Sequence, residues 1–304
     1  MIQLQYSKFT SRLVGATSTK LRVELLVFCN IPFEQNSRFV GRDEQLDQLH
    51  SRLLKGRKGK KIAITGLGGI GKTQIALQFA YQVRDEAPNY SVFWIPAISK
   101  EGLEQTYVDI VQELQVPGWD DKEADSKELL QRHLRKKGAG QWLLIFDNAD
   151  DIDMWLGKDG QQTGLVDLLP RNDEGYILFT TRDRKMAVKL AHQYVISVAD
   201  ADEEMATQLL RGYLGRKELM DNMKEAVKLL NDLAFLPLAI VQAAAYINKN
   251  EITLTKYLEL LAEQEEDVCR HGSTEVGERT ATAHGIAVEH GDIRILHQRH
   301  DAPP

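Results

Sequence analysis

Eight consecutive residues constrain the fold of this chain more than any others. Residues 66–73 read GLGGIGKT and fit the pattern G-x-x-x-x-G-K-[ST]. Residues 61–65 before them predict a short buried strand, and residues 74–81 after them have helical spacing. A glycine-rich turn between a strand and a helix presents several backbone N–H groups at the positive end of the helix dipole. The segment therefore predicts a phosphate-binding loop, and we expect the chain to bind a nucleotide.

The residue types in this loop suit phosphate chemistry. Glycine lets phosphate oxygens approach the backbone and adopts turn conformations that other residues avoid. We expect Lys72 to reach the β- and γ-phosphates and the Thr73 hydroxyl to bind Mg²⁺. The other candidate nucleotide-binding residues of the loop and its helix are Gly66, Gly68, Gly69, Ile70, Gly71 and Gln74.

Charge and composition argue against several classes of partner. The 304 residues contain 38 basic and 44 acidic side chains, a net charge of −6, so no overall field recruits nucleic acid or anionic lipid. We therefore expect neither nucleic acid nor a membrane as a partner. Residues 55–61 contain five cations, which leaves a local nucleic-acid patch as the alternative to a solvated turn.

Cysteine usage favours a reducing compartment. Cys29 and Cys269 are too few and too far apart to indicate a disulfide framework, so we expect a cytoplasmic protein. Residues 1–23 lack acidic side chains, and a transit peptide is the alternative there. A zinc site that uses Cys269 and His271 is a second alternative, although their spacing matches no compact pattern.

Alternating strands and helices predict an α/β domain. Five apolar stretches predict strands, at residues 61–65, 90–95, 142–147, 176–181 and 193–198. Helical stretches between them imply right-handed crossovers and a parallel sheet. Ligands bind at the carboxyl ends of such strands, where Thr65, Asp147 and Arg182 fall.

Changes of pattern along the chain predict four parts. Residues 1–37 form a segment of unclear structure, and residues 38–199 form the P-loop nucleotide-binding domain. Residues 200–267 carry only helical patterns, near 202–214, 221–233, 236–248 and 253–266, and predict a small all-α domain. Residues 268–304 lose helical periodicity and are interpreted as a disordered or atypical tail.

Two residues outside the loop complete the candidate catalytic set with Lys72. Asp147 ends an apolar strand, where a carboxylate can hold Mg²⁺; the alternative is an aspartate that caps the next helix. Arg182 ends the fourth predicted strand and can bind a γ-phosphate, unless it pairs at the surface with Asp183 or Glu174. Asn148 occupies the position directly after Asp147, where many ATPases with fast turnover have a glutamate. An amide cannot accept the proton of the attacking water.

Five motifs in order resemble the NB-ARC domain of fungal NLR-like proteins, which belong to the STAND class of P-loop ATPases. They are FVGR at 39–42, GLGGIGKT at 66–73, LLIFDNADD at 143–151, ILFTTR at 177–182 and LPLA at 236–239. The resemblance covers residues 39 to about 266. The chain departs from the family at Phe235, where the family has glycine, and the family's M-H-D motif is not recognisable.

The resemblance implies a specific architecture and ligand set. It implies a five-stranded parallel P-loop NTPase sheet of order 5-1-4-3-2, flanked by helices and followed by the small all-α domain. It also implies that Val40 and Arg42 lie beside the adenine and that Pro237 contacts the base. ADP or ATP with Mg²⁺ are the implied cofactors.

The implied activity is a signalling switch. ADP would hold an off state, ATP would replace it on a signal, and the protein would associate with itself or with other signalling proteins. With Asn148 beside Asp147, we expect at most a slow Mg²⁺-dependent ATPase. The alternatives are a cycling AAA+-type ATPase that remodels or loads other molecules, and a small-molecule kinase, for which the sequence shows no arginine-rich lid.

Overall fold

The computed structural model describes residues 27–53, 61–157, 164–271, 285–289 and 292–296, and only the backbone of 264–271 and of the last two ranges. The chain divides into two compact units. The first comprises Met1–Asn36, Asp43–Thr65 and Lys72–Ser197, and the second comprises Ser37–Arg42, Gly66–Gly71 and Val198–Pro304. The residues of the glycine-rich loop before Lys72 thus group with the C-terminal unit.

A five-stranded parallel sheet forms the centre of the first unit. Its strands are β1 (Lys61–Thr65), β2 (Tyr90–Pro96), β3 (Gln141–Asp147), β4 (Gly175–Thr181) and β5 (Val195–Ser197). Their order is β2-β3-β4-β1-β5, and all neighbours pair in parallel. This confirms the predicted class and strand order. The almost uninterrupted burial of β1 to β4 explains why each of these strands contains a run of consecutive apolar residues.

Six helices belong to the first unit: α1 (Asp43–Leu53), α2 (Lys72–Glu86), α3 (Lys100–Glu113), α4 (Ser126–Leu134), α5 (Ile152–Leu156) and α6 (Arg184–Ala191). Helices α2, α3 and α6 pack against strands of the sheet. Trp155 of α5 lies edge-on to the rings of Phe146 in β3 and Phe179 in β4, at centroid distances of 5.0 and 5.3 Å. This packing fixes the ends of β3 and β4 relative to each other.

A short N-terminal segment extends the edge of the sheet beside β2. The Val92 N–H donates to the Phe28 carbonyl at 2.7 Å, and the Asn30 N–H donates to the Val92 carbonyl at 3.2 Å. The Asn30 side chain pairs with the backbone of Trp94 through both its amide oxygen and its amide nitrogen. Three residues are too few to show a period in the sequence, which explains why this segment was not predicted.

The described residues of the second unit form four α-helices: α7 (Glu203–Tyr213), α8 (Met223–Asp232), α9 (Pro237–Asn250) and α10 (Leu254–His271). They share one apolar core. The Asp202 side chain accepts the Met205 N–H at 2.8 Å and caps α7, and Pro237 is the first residue of α9. None of the helices in the described part of the chain combines the length and apolar character needed to cross a bilayer.

Regular backbone continues into the range predicted as a tail. Helix α10 extends to His271, and β6 (Gly285–Glu289) pairs antiparallel with β7 (Asp292–Leu296). The apolar residues of this pair, at 286, 288, 293 and 295, repeat every second residue, a strand period that a search for helical spacing misses. The other residues of 272–304 lie outside the described residues, as do residues 1–23 and 55–60.

The turn between α8 and α9 has an unusual backbone. Ala234 and Phe235 both have left-handed φ values, +50° and +53°. The Phe235 N–H donates to the Leu230 carbonyl at 3.0 Å, which closes the end of α8. The chain therefore keeps a conformation that favours glycine although Phe235 replaces the glycine of the family motif.

We predict that Ala234→Gly leaves the free energy of unfolding unchanged or raises it by up to about 1 kcal/mol. The left-handed conformation costs an L-residue about 1–2 kcal/mol, and the extra chain entropy of glycine offsets about 0.5–1 kcal/mol of the gain. Ala245→Gly is the matched control, because Ala245 is exposed inside α9 and should lose about 1 kcal/mol. Denaturant unfolding of both variants checks this, and an equal loss in both would contradict the strain at Ala234.

Candidate functional site

The glycine-rich loop, Gly66–Gly71, lies in the second unit and is closely packed there. Gly69 and Gly71 have φ values of +78° and +100°, which only glycine adopts without strain. A Cβ atom on Gly69 would lie 3.1 Å from the Cβ of Leu238, and one on Gly66 would lie 2.9 Å from the Val198 carbonyl oxygen. The loop therefore needs glycine both for its turns and for its contacts.

Two contacts within the second unit hold the backbone of this loop. The Arg42 guanidinium donates to the Ile70 carbonyl at 3.3 Å and to the Ala199 carbonyl at 2.7 Å. The Leu238 N–H, at the start of α9, donates to the Gly69 carbonyl at 3.1 Å. Burial lowers the pKa of the half-buried Arg42, while Asp200 and Asp202 act in the opposite direction. The Arg42 side chain thus binds backbone carbonyls and orders the loop.

The remaining nucleotide-binding candidates of the second unit are Val40 and Pro237. Val40 packs against the apolar core of the helices, and Pro237 is half-buried at the start of α9. Both are partly accessible and rigidly held, which suits an apolar contact with a base. Their contact with adenine stays a prediction.

In the first unit, Lys72 begins α2 in a nearly enclosed position. Its side chain is 6% exposed. Burial lowers the pKa of Lys72 to about 8; the nearby Asp150 and Asp147 oppose this, and Arg182 reinforces it. A bound phosphate would stabilise the charged form of this buried ammonium. Gln74, two residues further on, accepts a hydrogen bond from the Asn36 amide at 2.8 Å.

Asp147 is a buried carboxylate bonded to two hydroxyl groups. The Thr180 hydroxyl donates to its Oδ1 at 2.6 Å and the Thr73 hydroxyl at 2.9 Å. Burial raises the pKa of Asp147, while the hydrogen bonds from Thr180 and Thr73 and the charge of Lys72 lower it. The capping alternative is wrong, because Asp151 rather than Asp147 caps α5, by accepting the Met154 N–H at 2.9 Å.

These oxygens fit a magnesium ion. The Asp147 carboxylate and the Thr73 hydroxyl are hard ligands that already lie within 2.9 Å of each other. Among the described residues, no group of three or more His, Cys, Asp or Glu side chains could hold a metal ion alone. Mg²⁺ usually takes only one or two protein ligands and completes its shell with water and phosphate oxygens.

Arg182 is held by an aspartate that was not among the predicted site residues. Its Nε lies 3.4 Å from Oδ2 of Asp150, and its backbone N–H donates to Oδ1 of Asp150 at 2.6 Å. The Thr181 hydroxyl donates to the same oxygen at 2.8 Å. Asp183, one of the surface partners suggested by the sequence, instead caps α6 by accepting the Lys185 N–H at 2.7 Å.

Thr180, Thr181 and Asp150 were not among the predicted site residues. One signal could have found the two threonines: β4 was predicted to end beside the strand that ends at Asp147, and parallel neighbours meet at one edge. Asp150 reaches this edge because Asn148 adopts a left-handed φ of +63°, so that the chain turns immediately after β3. A local turn of this kind has no periodic signal.

Comparison with known proteins identifies the family. The NB-ARC domain model matches residues 42–220, more than half of the chain. A nucleotide-binding leucine-rich repeat (NLR)-like protein of Hyaloscypha variabilis is 41% identical over 249 residues, which cover 79% of this chain and 25% of that protein. Disease resistance protein RPP8 of Arabidopsis thaliana is 25% identical over 169 residues, covering 55% of this chain and 18% of that protein. The chain thus spans a quarter or less of these relatives.

Solved structures support the fold alone. A Walker-type ATPase of Pyrococcus abyssi superimposes with a TM-score of 0.52 at 12% identity, covering 77% of this chain and 74% of that one. A structure of Drosophila ORC bound to DNA gives a TM-score of 0.53 at 12% identity, covering 90% of this chain and 74% of that one. With the family match and the geometry of the loop and its carboxylate, the chain belongs to the NB-ARC family of nucleotide-binding P-loop proteins.

Proposed function

We propose that this chain is the ADP- and ATP-binding switch of an NLR-like signalling receptor. One observation carries the proposal: the Thr73 hydroxyl lies 2.9 Å from the buried Asp147 carboxylate, beside a buried Lys72 of lowered pKa. This is the arrangement that a magnesium-bound polyphosphate requires. The similarity to an NLR-like protein supports the signalling role.

Each side chain has a distinct task in this proposal. The N–H groups of the glycine-rich loop and the Lys72 ammonium bind phosphate oxygens. Thr73 and Asp147 hold Mg²⁺, which neutralises phosphate charge when it is bound. Arg182 recognises a γ-phosphate with its guanidinium. Val40, Arg42 and Pro237 are proposed to form the site of the adenine, as the resemblance implies.

We propose that hydrolysis of ATP is slow. A fast reaction needs a base for the proton of the attacking water, and each carboxylate near the end of β3 already has hydrogen-bond donors. Asp147 accepts two hydroxyl groups, Asp150 accepts the backbone N–H of Arg182, and Asp151 caps α5. Asn148 is an amide and cannot take a proton at neutral pH.

The wider role is also a proposal. We propose a cytoplasmic receptor in which replacement of ADP by ATP controls opening and association with further copies or with other signalling proteins. Support comes from the family match and from the NLR-like relative, of which this chain spans a quarter.

Lys72→Ala should weaken ADP binding by at least about tenfold, because charge-assisted bonds to phosphate contribute about 1.5–3 kcal/mol each. Lys189→Ala is the matched control, since Lys189 is exposed on α6 of the same unit. Titration with a fluorescent ADP analogue measures both. Equal affinities of the wild type and the Lys72 variant would remove the phosphate-binding role of this loop.

ADP binding should take up protons at alkaline pH. Without ligand, the pKa of Lys72 is about 8, so its ammonium loses its proton as the pH rises through that value. Phosphate raises the pKa again, so the uptake per ADP should be near zero at pH 7 and approach one proton near pH 9. Calorimetry in buffers of different ionisation enthalpy measures the number of protons taken up per ADP bound. Lys72→Arg should abolish the uptake, and uptake unchanged in that variant would assign the proton to another group.

The isolated chain should hydrolyse ATP at less than about 0.01 s⁻¹, a rate typical of unassisted nucleotide switches. Asn148→Asp should raise the rate at least about tenfold, because it adds a carboxylate and because aspartate tolerates the left-handed φ of this position. Asp151→Asn, which removes a charge and keeps a capping side chain for α5, should leave the rate unchanged. Phosphate release measures all three, and turnover near 1 s⁻¹ that Lys72→Ala abolishes would favour a cycling ATPase.

A further inference from the structure

Asp150 is the one carboxylate near the end of β3 for which the proposed chemistry has no task. Asp147 is assigned to Mg²⁺, and Asp151 caps α5. Asp150 is about one-third exposed and accepts hydrogen bonds from the Arg182 backbone N–H and the Thr181 hydroxyl, and its Oδ2 forms an ion pair with Nε of Arg182 at 3.4 Å. Two hydrogen bonds and one ion pair from two neighbouring residues thus hold this side chain at the edge of the sheet.

We propose that Asp150 is a specificity-determining residue, which holds Arg182 and so favours a nucleoside diphosphate over a triphosphate. The inference rests on the proposed function, because it concerns the same phosphate site. It adds a role for a residue outside the phosphate-binding loop and the metal ligands.

The backbone fixes the position of the Asp150 carboxylate. The Ala149 N–H donates to the Thr180 carbonyl at 2.7 Å, which joins the turn after β3 to β4. The Asp150 N–H donates to the Asn148 carbonyl at 2.8 Å, and Ala149 is completely buried. The backbone at Asp150 therefore cannot move away from the end of β4 without breaking this turn, and the hydrogen bonds from Thr181 and Arg182 hold the carboxylate.

The edge of the sheet at the ends of β3 and β4 has equal numbers of cationic and anionic side chains. Lys72 interacts with Asp150, with Asp147 and with Arg182, and the attraction to Asp150 is the largest of the three. Two cations thus face two carboxylates. A diphosphate can bind Lys72 while Arg182 stays with Asp150.

A third phosphate group changes this balance. A guanidinium has five donors, so Arg182, whose Nε lies 3.4 Å from the Asp150 carboxylate, would be shared between that carboxylate and a γ-phosphate. Asp150 then faces an additional negative group that competes for the same cation, and like charges at short range repel. The carboxylate therefore weakens the binding of a triphosphate more than that of a diphosphate.

Neutralising Asp150 tests the proposal. The dissociation constants of ADP and of a non-hydrolysable ATP analogue, each with Mg²⁺, are measured by calorimetry on the full chain. In Asp150→Asn, the ratio of the ATP-analogue constant to the ADP constant should fall about fivefold, the effect of one partly screened charge. Asp150→Ser removes the same charge, keeps a hydroxyl acceptor for the Arg182 N–H, and should give the same change if the asparagine variant does not fold.

Two controls separate charge from structure. Asp151→Asn makes the same charge change one residue away and should leave the ratio unchanged. Asp150→Glu keeps the charge and should keep the ratio within about twofold of the wild type. In an Arg182→Gln background, Asp150→Asn should change the ratio less than in the wild type, because the ion pair is already absent.

The outcomes distinguish the two proposals. A wild-type chain that binds neither nucleotide overturns the proposed function itself. A wild-type chain that binds ADP, with a ratio unchanged in Asp150→Asn, overturns only the role of Asp150. A fall in ATP turnover at an unchanged ratio would likewise overturn the specificity role and make Asp150 part of hydrolysis.

Discussion

The buried Asp147 carboxylate is the constraint on which the rest of the candidate site depends. A carboxylate that is 7% exposed needs hydrogen bonds or a cation to remain charged. Thr180 supplies a hydroxyl from β4 and Thr73 supplies one from the first turn of α2. One carboxylate therefore joins three elements of the first unit and brings a phosphate-binding helix beside two strand ends.

Hydrogen bonds within the second unit fix the backbone of the glycine-rich loop. Arg42 donates to Ile70, and the start of α9 donates to Gly69, so the glycine-rich loop is held by backbone carbonyls. The residues that the resemblance associates with the base and those that hold the loop thus belong to the same compact unit.

Much of this could be predicted from the sequence because the signals are periodic or composed of fixed motifs. Buried strands carry runs of apolar residues, which gave the five strands, and the resemblance to the NB-ARC domain implied the order of the sheet. The helices of the second unit begin close to the predicted residues 202, 221, 236 and 253. Features set by single turns could not be predicted: the left-handed Asn148 aims Asp150 at Arg182, and Ala234 and Phe235 keep a glycine-like turn without glycine. The antiparallel pair at 285–296 was missed because its period of two was not sought.

The nucleotide that copurifies with the protein tests the central claim most directly. The purified chain is denatured, and the released nucleotides are separated by chromatography and quantified against the protein. A switch with a slow ATPase and an aspartate that disfavours the γ-phosphate should release adenosine diphosphate at close to one per chain. Release of a different nucleotide, or of none from a chain that also fails to bind added ADP, would contradict the account.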